Sequence, residues 1–143
     1  MLIFLDTCVF EYAQGRDNIY KDPCLKILEA VLENKVIPYT DTEIFQEIWY
    51  RHYHRDTDQG INLLKDVLQI IKPGYILPVT HADFSLAVHL GEIYGRFIEP
   101  RDAIHIAVML NNSIHDICTA DTGIAKVKEV TVIDPINFVK KLL

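Results

Sequence analysis

Short apolar runs alternate with longer amphipathic stretches along the chain, and this alternation limits the possible folds more than any other feature. The runs Leu2–Leu5, Val36–Tyr39, Asp116–Thr119 and Val130–Ile133 have the length and composition of buried strands. Strands that alternate with helices form parallel sheets covered on both faces. We therefore expect a three-layer α/β/α fold. Its middle layer is a mainly parallel sheet of four to five strands.

The stretches between these strands carry apolar residues at helical spacing, and most begin at a helix-start signal. The predicted starts are Asp6-Thr7, Asp22-Pro23, Thr40 with Glu43, Thr80 with Asp83, Glu99-Pro100 and Asp134-Pro135, and one more helix carries Ile61 to Ile71 before Pro73-Gly74. Two long all-helical stretches exclude a plain Rossmann repeat. Since no repeat or Gly/Ser-rich linker interrupts the pattern, we expect one domain over residues 1–143.

The composition narrows the class of protein. Half of the residues are hydrophobic, which is ample for a packed core, yet no stretch approaches the ~20 apolar residues of a membrane span. The opening apolar run ends at Asp6 and is shorter than the ~7–15 residues of a signal-peptide core, so we expect a cytoplasmic protein. Cys8, Cys24 and Cys118 form no C-x-x-C pair, and they predict neither a disulfide framework nor a zinc site.

Acidic residues lie where a parallel sheet would bind a ligand, outside the carboxyl ends of its strands. Asp6 directly follows the first strand and Asp121 lies just beyond another, so both belong to one edge if those strands are parallel. Glu47 lies about two turns into the helix after the second strand and can lean over that edge. No strand directly precedes the helix of Asp102, and spacing alone does not place it at the site.

Each of these acids also has a structural explanation, which is the better one for any of them taken alone. Asp6 suits a helix N-cap, Asp102 suits the positive end of a helix dipole, and Asp121 suits a loop. Glu47 can form an ion pair with Arg51 four residues later, worth ~0.2–0.5 kcal/mol.

Other polar residues near the predicted strand ends are assigned structural roles. Asp134 precedes Pro135 and is expected to cap the last helix. Asp41 belongs with the capping box of Thr40 and Glu43. His105 and His115 have no ligand spacing with any partner, so we expect them to be structural or surface residues.

Four motifs together resemble the PIN-domain nucleases. LIFLDT at residues 2–7 resembles their opening strand and first acidic residue, and residues 37–49 around Glu47 resemble their second acidic motif. RDAIHIA at residues 101–107 and CTAD at residues 118–121 are similar to the third and fourth. No single motif is specific, but four in this order span nearly the whole chain. The likeness is greatest to the short toxin ribonucleases of Vap-type toxin–antitoxin pairs.

The resemblance implies a site and an activity. It adds Asp102 to Asp6, Glu47 and Asp121 as the catalytic, metal-binding residues of an endoribonuclease. Clustered carboxylates attract hard cations such as Mg²⁺ or Mn²⁺, and a bound ion activates water for attack on a phosphodiester. The net charge of −6 argues against a protein that binds nucleic acid through bulk positive charge, so we expect weak, cation-dependent binding of RNA.

Side chains near the predicted acidic site are candidates for contact with RNA. Thr7 and Thr119 place hydroxyls near the predicted site. The segment RHYHR at residues 51–55 offers the cations Arg51 and Arg55 and an aromatic ring that could stack on an unpaired base. A solvated helix end explains that segment equally well.

The amphipathic helices and the resemblance together suggest a homodimer that buries apolar residues such as Phe45 or Trp49. A toxin also implies a small basic antitoxin protein as partner.

Two other enzyme-like classes fit poorly, and two readings within the PIN fold stay open. A haloacid-dehalogenase-type phosphatase needs a second Asp two positions after the first, where this chain has Cys8. A receiver domain needs an acidic pair after its first strand, which is absent. An RNA-processing nuclease outside a toxin pair, and a scaffold that binds RNA or protein without cleaving, remain as alternatives.

Overall fold

The computed structural model describes all residues 1–143 and contains five strands and seven α-helices. The strands are Leu2–Leu5 (β1), Ile37–Asp41 (β2), Ile76–Leu77 (β3), Asp116–Cys118 (β4) and Thr131–Ile133 (β5). The helices are Thr7–Gln14 (α1), Lys21–Leu32 (α2), Glu43–Tyr53 (α3), Thr57–Ile70 (α4), His81–Tyr94 (α5), Pro100–Asn111 (α6) and Pro135–Leu142 (α7). Short 3₁₀ turns cover Pro73–Tyr75 and Ile124–Lys126.

The first strand of the chain lies in the middle of the sheet. The strand order is β3-β2-β1-β4-β5 and every neighbouring pair is parallel. Leu2 of β1 is in register with Ile37 of β2, and Phe4 of β1 with Ile117 of β4. The predicted three-layer α/β/α class with a parallel sheet is therefore confirmed. Since the strands are parallel, their carboxyl ends meet at one edge.

Alternating side chains of the sheet divide the core into two layers. Ile3 and Leu5 pack with helices α1, α2, α3, α4 and α7, whereas Phe4 and Ile117 pack with α5 and α6 on the other face. Burial of each large side chain contributes ~1.5–3 kcal/mol, and Phe4 is fully buried. No helix in the structure is long and apolar enough to cross a membrane.

The predicted capping box of Thr40 and Glu43 is wrong. Thr40 belongs to β2, where it is in register with Ile76, and its hydroxyl donates to the carbonyl of Leu5 at 3.2 Å. Asp41 does assist the helix start, because its carboxylate accepts from the N–H of Ile44 at 3.2 Å. β3 was not predicted from the sequence because it is only two residues long. It is recognised as a strand only through its pairing with β2.

Two other predicted helix starts are confirmed. Thr80 and Asp83 form a reciprocal capping box before α5, and Gly95 follows the last residue of that helix. Asp134 accepts from the N–H of Ile136 at 2.8 Å and caps α7, as its place before a proline predicts. These local signals needed no tertiary partner to be read correctly.

Candidate active site

Asp6 lies at the carboxyl end of the central strand, fixed by hydrogen bonds from both sides. One carboxylate oxygen accepts from the N–H of Thr7 at 2.8 Å, which makes Asp6 the N-cap of α1. The other accepts from the hydroxyl of Thr119, beyond β4, at 2.7 Å. Asp6 is only 7% exposed. Burial raises the pKa of Asp6, although the charge on His105 and the two donors oppose that rise.

Glu47 leans from α3 over the same edge, with donors on both oxygens. The Thr7 hydroxyl donates to Oε1 at 2.6 Å, and Arg51 donates to Oε2 at 3.1 Å. Burial raises the pKa of Glu47, but the donors and charges of His105, Thr7 and Arg51 outweigh it and bring the pKa to about 2. The residue is therefore ionised at neutral pH, and its predicted ion pair with Arg51 is present.

Asp102 and Asp121 reach the site from α6 and from the loop after β4. Asp102 accepts from the N–H of Glu99 at 3.0 Å. Burial raises the pKa of Asp102 to about 6, with a further contribution from the negative charges of Asp6 and Asp121. Asp121 is exposed and accepts from the N–H of Gly123 at 2.8 Å. A Cβ on Gly123 would meet the Phe97 carbonyl oxygen at 2.2 Å, so this loop requires glycine.

All four predicted acids line one cleft of about 280 Å³. The Thr7, Thr119 and Arg51 side chains, which the sequence proposed for substrate contact, line it as well. Arg55 does not, because its guanidinium lies outside and donates to the carbonyl of Arg51 at 3.2 Å. The complete lining is Asp6, Thr7, Cys8, Tyr12, Glu47, Arg51, Glu99, Asp102, Thr119, Ala120 and Asp121.

His105 lies beneath the cleft and touches two carboxylates. Its Nδ1 is 2.7 Å from Asp41 Oδ2, and its Nε2 is 3.6 Å from Glu47 Oε1, where it has no hydrogen-bond partner. Burial lowers the pKa of His105, but the charge and hydrogen bond of Asp41 and the contact with Glu47 raise it well above its ordinary value. The prediction of a structural histidine agrees with its burial, but sequence reasoning missed its contact with the site.

Most of the chain that builds this site matches one known family. The PIN domain family model matches residues 3–130.

The chain belongs to the PIN domain family.

Relatives of this PIN domain carry ribonuclease and toxin–antitoxin names. It is 27% identical over 124 residues to "Ribonuclease VapC13" of Mycobacterium tuberculosis, which covers 85% of this chain and 92% of the relative. The fold is similar to VapBC2 of Rickettsia felis bound to a promoter DNA fragment, with a TM-score of 0.72, 14% identity and coverage of 94% and 98%. It is also similar to VapBC-5 of M. tuberculosis, a member of the VapBC family of toxin–antitoxin systems, with a TM-score of 0.60, 20% identity and coverage of 93% and 98%.

The donor set of this PIN domain fits a divalent cation. Ligand atoms of Asp6, Glu47 and His105 lie within 4.8 Å of one another, and all three residues are buried. Burial of clustered carboxylates is costly unless a cation or donors offset the charge. The carboxylate oxygens of this group suit a hard cation, whereas His105 already contacts Asp41 and Glu47, so the acidic cluster is compatible with metal binding.

One acidic neighbour in this PIN domain also escaped prediction. Glu99 lines the cleft beside Asp102, but in the sequence Glu99-Pro100 reads as a helix start, which it also is. His105 carried a usable signal, since it lies three residues after Asp102 and such a spacing puts both on one helix face. Asp41, in contrast, is 64 residues from His105, and only the folded sheet brings the two together.

Proposed function

We propose that this PIN domain, over residues 1–143, is a metal-dependent endoribonuclease that hydrolyses RNA phosphodiesters, and that it is the toxin of a toxin–antitoxin pair. The observation that carries the proposal is the convergence of Asp6, Glu47, Asp102 and Asp121 on one cleft. The ribonuclease name of VapC13 supports RNA as the substrate. The VapC name of that relative, shared with the VapBC toxin–antitoxin systems, supports the toxin role, and a toxin that cuts RNA would act in the cytoplasm.

In this proposal Asp6, Asp102 and Asp121, with Glu47, hold Mg²⁺ or Mn²⁺. A bound ion of this kind lowers the pKa of water and neutralises charge that develops on the phosphate. The protein's own contribution is orientation. Thr119 fixes the Asp6 carboxylate at 2.7 Å, and Thr7 fixes that of Glu47 at 2.6 Å, so neither carboxylate has to reorganise when the substrate binds.

We assign substrate contact first to Arg51. It lines the cleft, and nearly half of its side chain is exposed while one nitrogen is bound to Glu47. A guanidinium in this place can meet a phosphate oxygen of RNA. The hydroxyls of Thr7 and Thr119 already donate to carboxylates, so their role in substrate contact is indirect. Arg55, outside the cleft, is at most a contact for a more distant phosphate.

The competing function within this fold is a scaffold that binds RNA or protein without cleaving. The carboxylates of Asp6 and Glu47 weigh against a scaffold because both are almost completely buried. Burial of a charged group costs free energy, and a surface that only binds RNA or protein does not need carboxylates in such a place. An RNA-processing nuclease outside a toxin pair would use the same chemistry, and only the target and the partner would differ.

The decisive experiment is incubation of the purified protein with a mixed RNA pool in Mg²⁺, Mn²⁺ or chelator, followed by mapping of the cut ends. We expect cleavage with either cation and none with chelator. Asp6→Asn and Asp121→Asn are each expected to abolish cleavage and to keep or raise thermal stability without metal, because each relieves repulsion among clustered acids.

The matched control is Asp66→Asn on the exposed side of α4, away from the cleft, which is expected to cleave like wild type. A folded wild type that cuts no RNA with either ion contradicts the nuclease proposal. Marked destabilisation of both Asp6→Asn and Asp121→Asn would instead show that these carboxylates serve the fold, beyond the N-cap that Asp6 provides for α1.

We also propose that the protein is a homodimer. Trp49 is half exposed on α3, and Phe45 on the same helix is only partly buried against the core. A two-fold contact would bury both apolar side chains.

A further inference from the structure

We propose that Tyr12 forms a stacking site, beside the acidic cluster, for the nucleobase next to the cut. This inference rests on the proposed function and deepens it by assigning a residue that binds a base of the substrate. Base–aromatic stacking accepts any base, because every base has a π-face. Double-stranded RNA does not offer such a face, since its bases are already stacked and paired.

The first argument is position. Tyr12 lies in α1, the helix that Asp6 caps, and it lines the same cleft together with Cys8, which is one turn earlier. Tyr12 follows Asp6 by six positions, which is roughly 9 Å along the helix axis at the usual rise per residue. A base attached to a phosphate held near the carboxylates is within reach of the ring.

The second argument is the asymmetry of the cleft. Helices α1 and α3 cover one face of the sheet and supply Tyr12, Arg51 and Glu47, so the acid on this side is paired with a cation. Helix α6 covers the other face and supplies Glu99 and Asp102, both acidic. A polyanion is repelled from the α6 side unless cations intervene, so the nucleotide next to the cut is directed toward Tyr12 and Arg51.

The third argument is rigidity. The Tyr12 ring packs against the Tyr20 ring with centroids 5.0 Å apart and planes inclined at 31°. Both side chains are half-buried, so Tyr12 is held in place before any ligand arrives and loses little freedom on binding. Tyr53, the aromatic that the sequence suggested for this task, is 63% exposed, packs edge-on against His54 and does not line the cleft.

The test uses short single-stranded RNA that carries one 2-aminopurine, a base whose fluorescence falls when it stacks on an aromatic ring. Quenching is measured with Ca²⁺, and kcat and KM of cleavage are measured with Mg²⁺. The variants are Tyr12→Leu, Tyr12→Met and Tyr12→Phe, with Tyr53→Leu as the matched control. Thermal melts identify which of the two non-aromatic variants is folded, and the folded one is used. A duplex of the same sequence is the second probe.

We expect loss of the ring at Tyr12 to remove the quenching and to raise KM about 10-fold or more, with kcat little changed. Tyr12→Phe and Tyr53→Leu should behave like wild type, and the duplex should gain nothing from Tyr12. Unchanged quenching and KM in a folded Tyr12→Leu or Tyr12→Met protein overturn the inference, and so does a loss confined to Tyr53→Leu. If no RNA is cut at all, the nuclease proposal fails, while the quenching still decides the role of Tyr12.

Discussion

His105 joins two carboxylates in the interior, directly below the cleft. Asp41 and His105 are both fully buried and lie 2.7 Å apart, and Glu47 is 3.6 Å from the other ring nitrogen. Breaking a buried ion pair by removal of one partner is costly because the other charge remains without compensation. The ring therefore stabilises the sheet edge that carries the acids.

We predict that His105→Leu lowers the free energy of unfolding by ~3–5 kcal/mol, because it leaves Asp41 buried and unpaired. The double variant Asp41→Asn/His105→Leu should recover part of this loss, since the uncompensated charge is then gone. Urea unfolding of wild type, both single variants and the double variant gives the four free energies needed. A His105→Leu variant within ~1 kcal/mol of wild type would show that the ring carries no such charge compensation.

At the level of single residues, strand ends and motifs in the sequence were enough to select four of the acids that line the cleft. Asp6 and Asp121 follow predicted strands, and the shared cleft agrees with that placement. Asp102 came only through the family resemblance, because no strand leads into α6. The contact of His105 with Asp41 depends on two residues 64 positions apart, and no local pattern encodes that distance.

Single elements show how one sequence signal can lead to two outcomes. Thr80 and Asp83 begin α5 as their spacing predicts, whereas Thr40 and Glu43, at the same spacing, do not form a box. The difference is tertiary, since Thr40 is drawn into β2 by its pairing with Ile76. Helix starts that face solvent or a loop could be predicted, and starts that overlap a buried strand could not.

The start of α5 makes a pH-dependent contribution to stability. Asp83 is almost fully buried and accepts from both the N–H and the hydroxyl of Thr80, and from Asn111 at 2.8 Å. Burial raises the pKa of Asp83, but these donors outweigh it and lower the pKa below its ordinary value. A carboxyl of this kind stabilises the fold above its unfolded pKa of ~3.9, and the gain is lost as pH falls through the lower folded pKa.

We predict that Asp83→Asn costs ~0.5–2 kcal/mol at neutral pH, as loss of a helix cap does. The gap between wild type and variant should shrink as the pH falls below about 4, because the unfolded Asp83 then binds a proton and the folded one follows at lower pH. Thermal or urea unfolding across pH 3 to 7 measures both curves, with Asp66→Asn as an exposed control. A gap that stays constant across this range would contradict the titration and leave only a packing effect.

The charge of the whole molecule bears on regulation. A net charge of −6 and a cleft lined by five carboxylates favour a positively charged inhibitor, such as an Arg or Lys of a basic antitoxin reaching Asp6, Asp102 or Asp121. We predict that expression of this chain alone slows growth, and that Asp102→Asn or a small co-encoded partner removes the effect. Binding of that partner should weaken as salt rises.

Growth curves and salt-dependent binding of the co-encoded partner are the measurements. Wild-type protein that is folded and metal-loaded, yet harmless to the host, would contradict the toxin role. It would leave the nuclease proposal standing, because an RNA-processing enzyme with a narrow target need not affect growth.

The central place of β1 in the sheet also sets the order in which the site is completed during synthesis. Asp6 leaves the ribosome well before its neighbour β4 and the Thr119 hydroxyl that holds it, which come more than a hundred residues later. Asp121 follows just after. A nascent or prematurely released chain that ends before this point has the first strand but no closed acidic cleft. Activity therefore requires a chain that has been made beyond Asp121, and under the proposed toxin role shorter products would spare the cell that makes them.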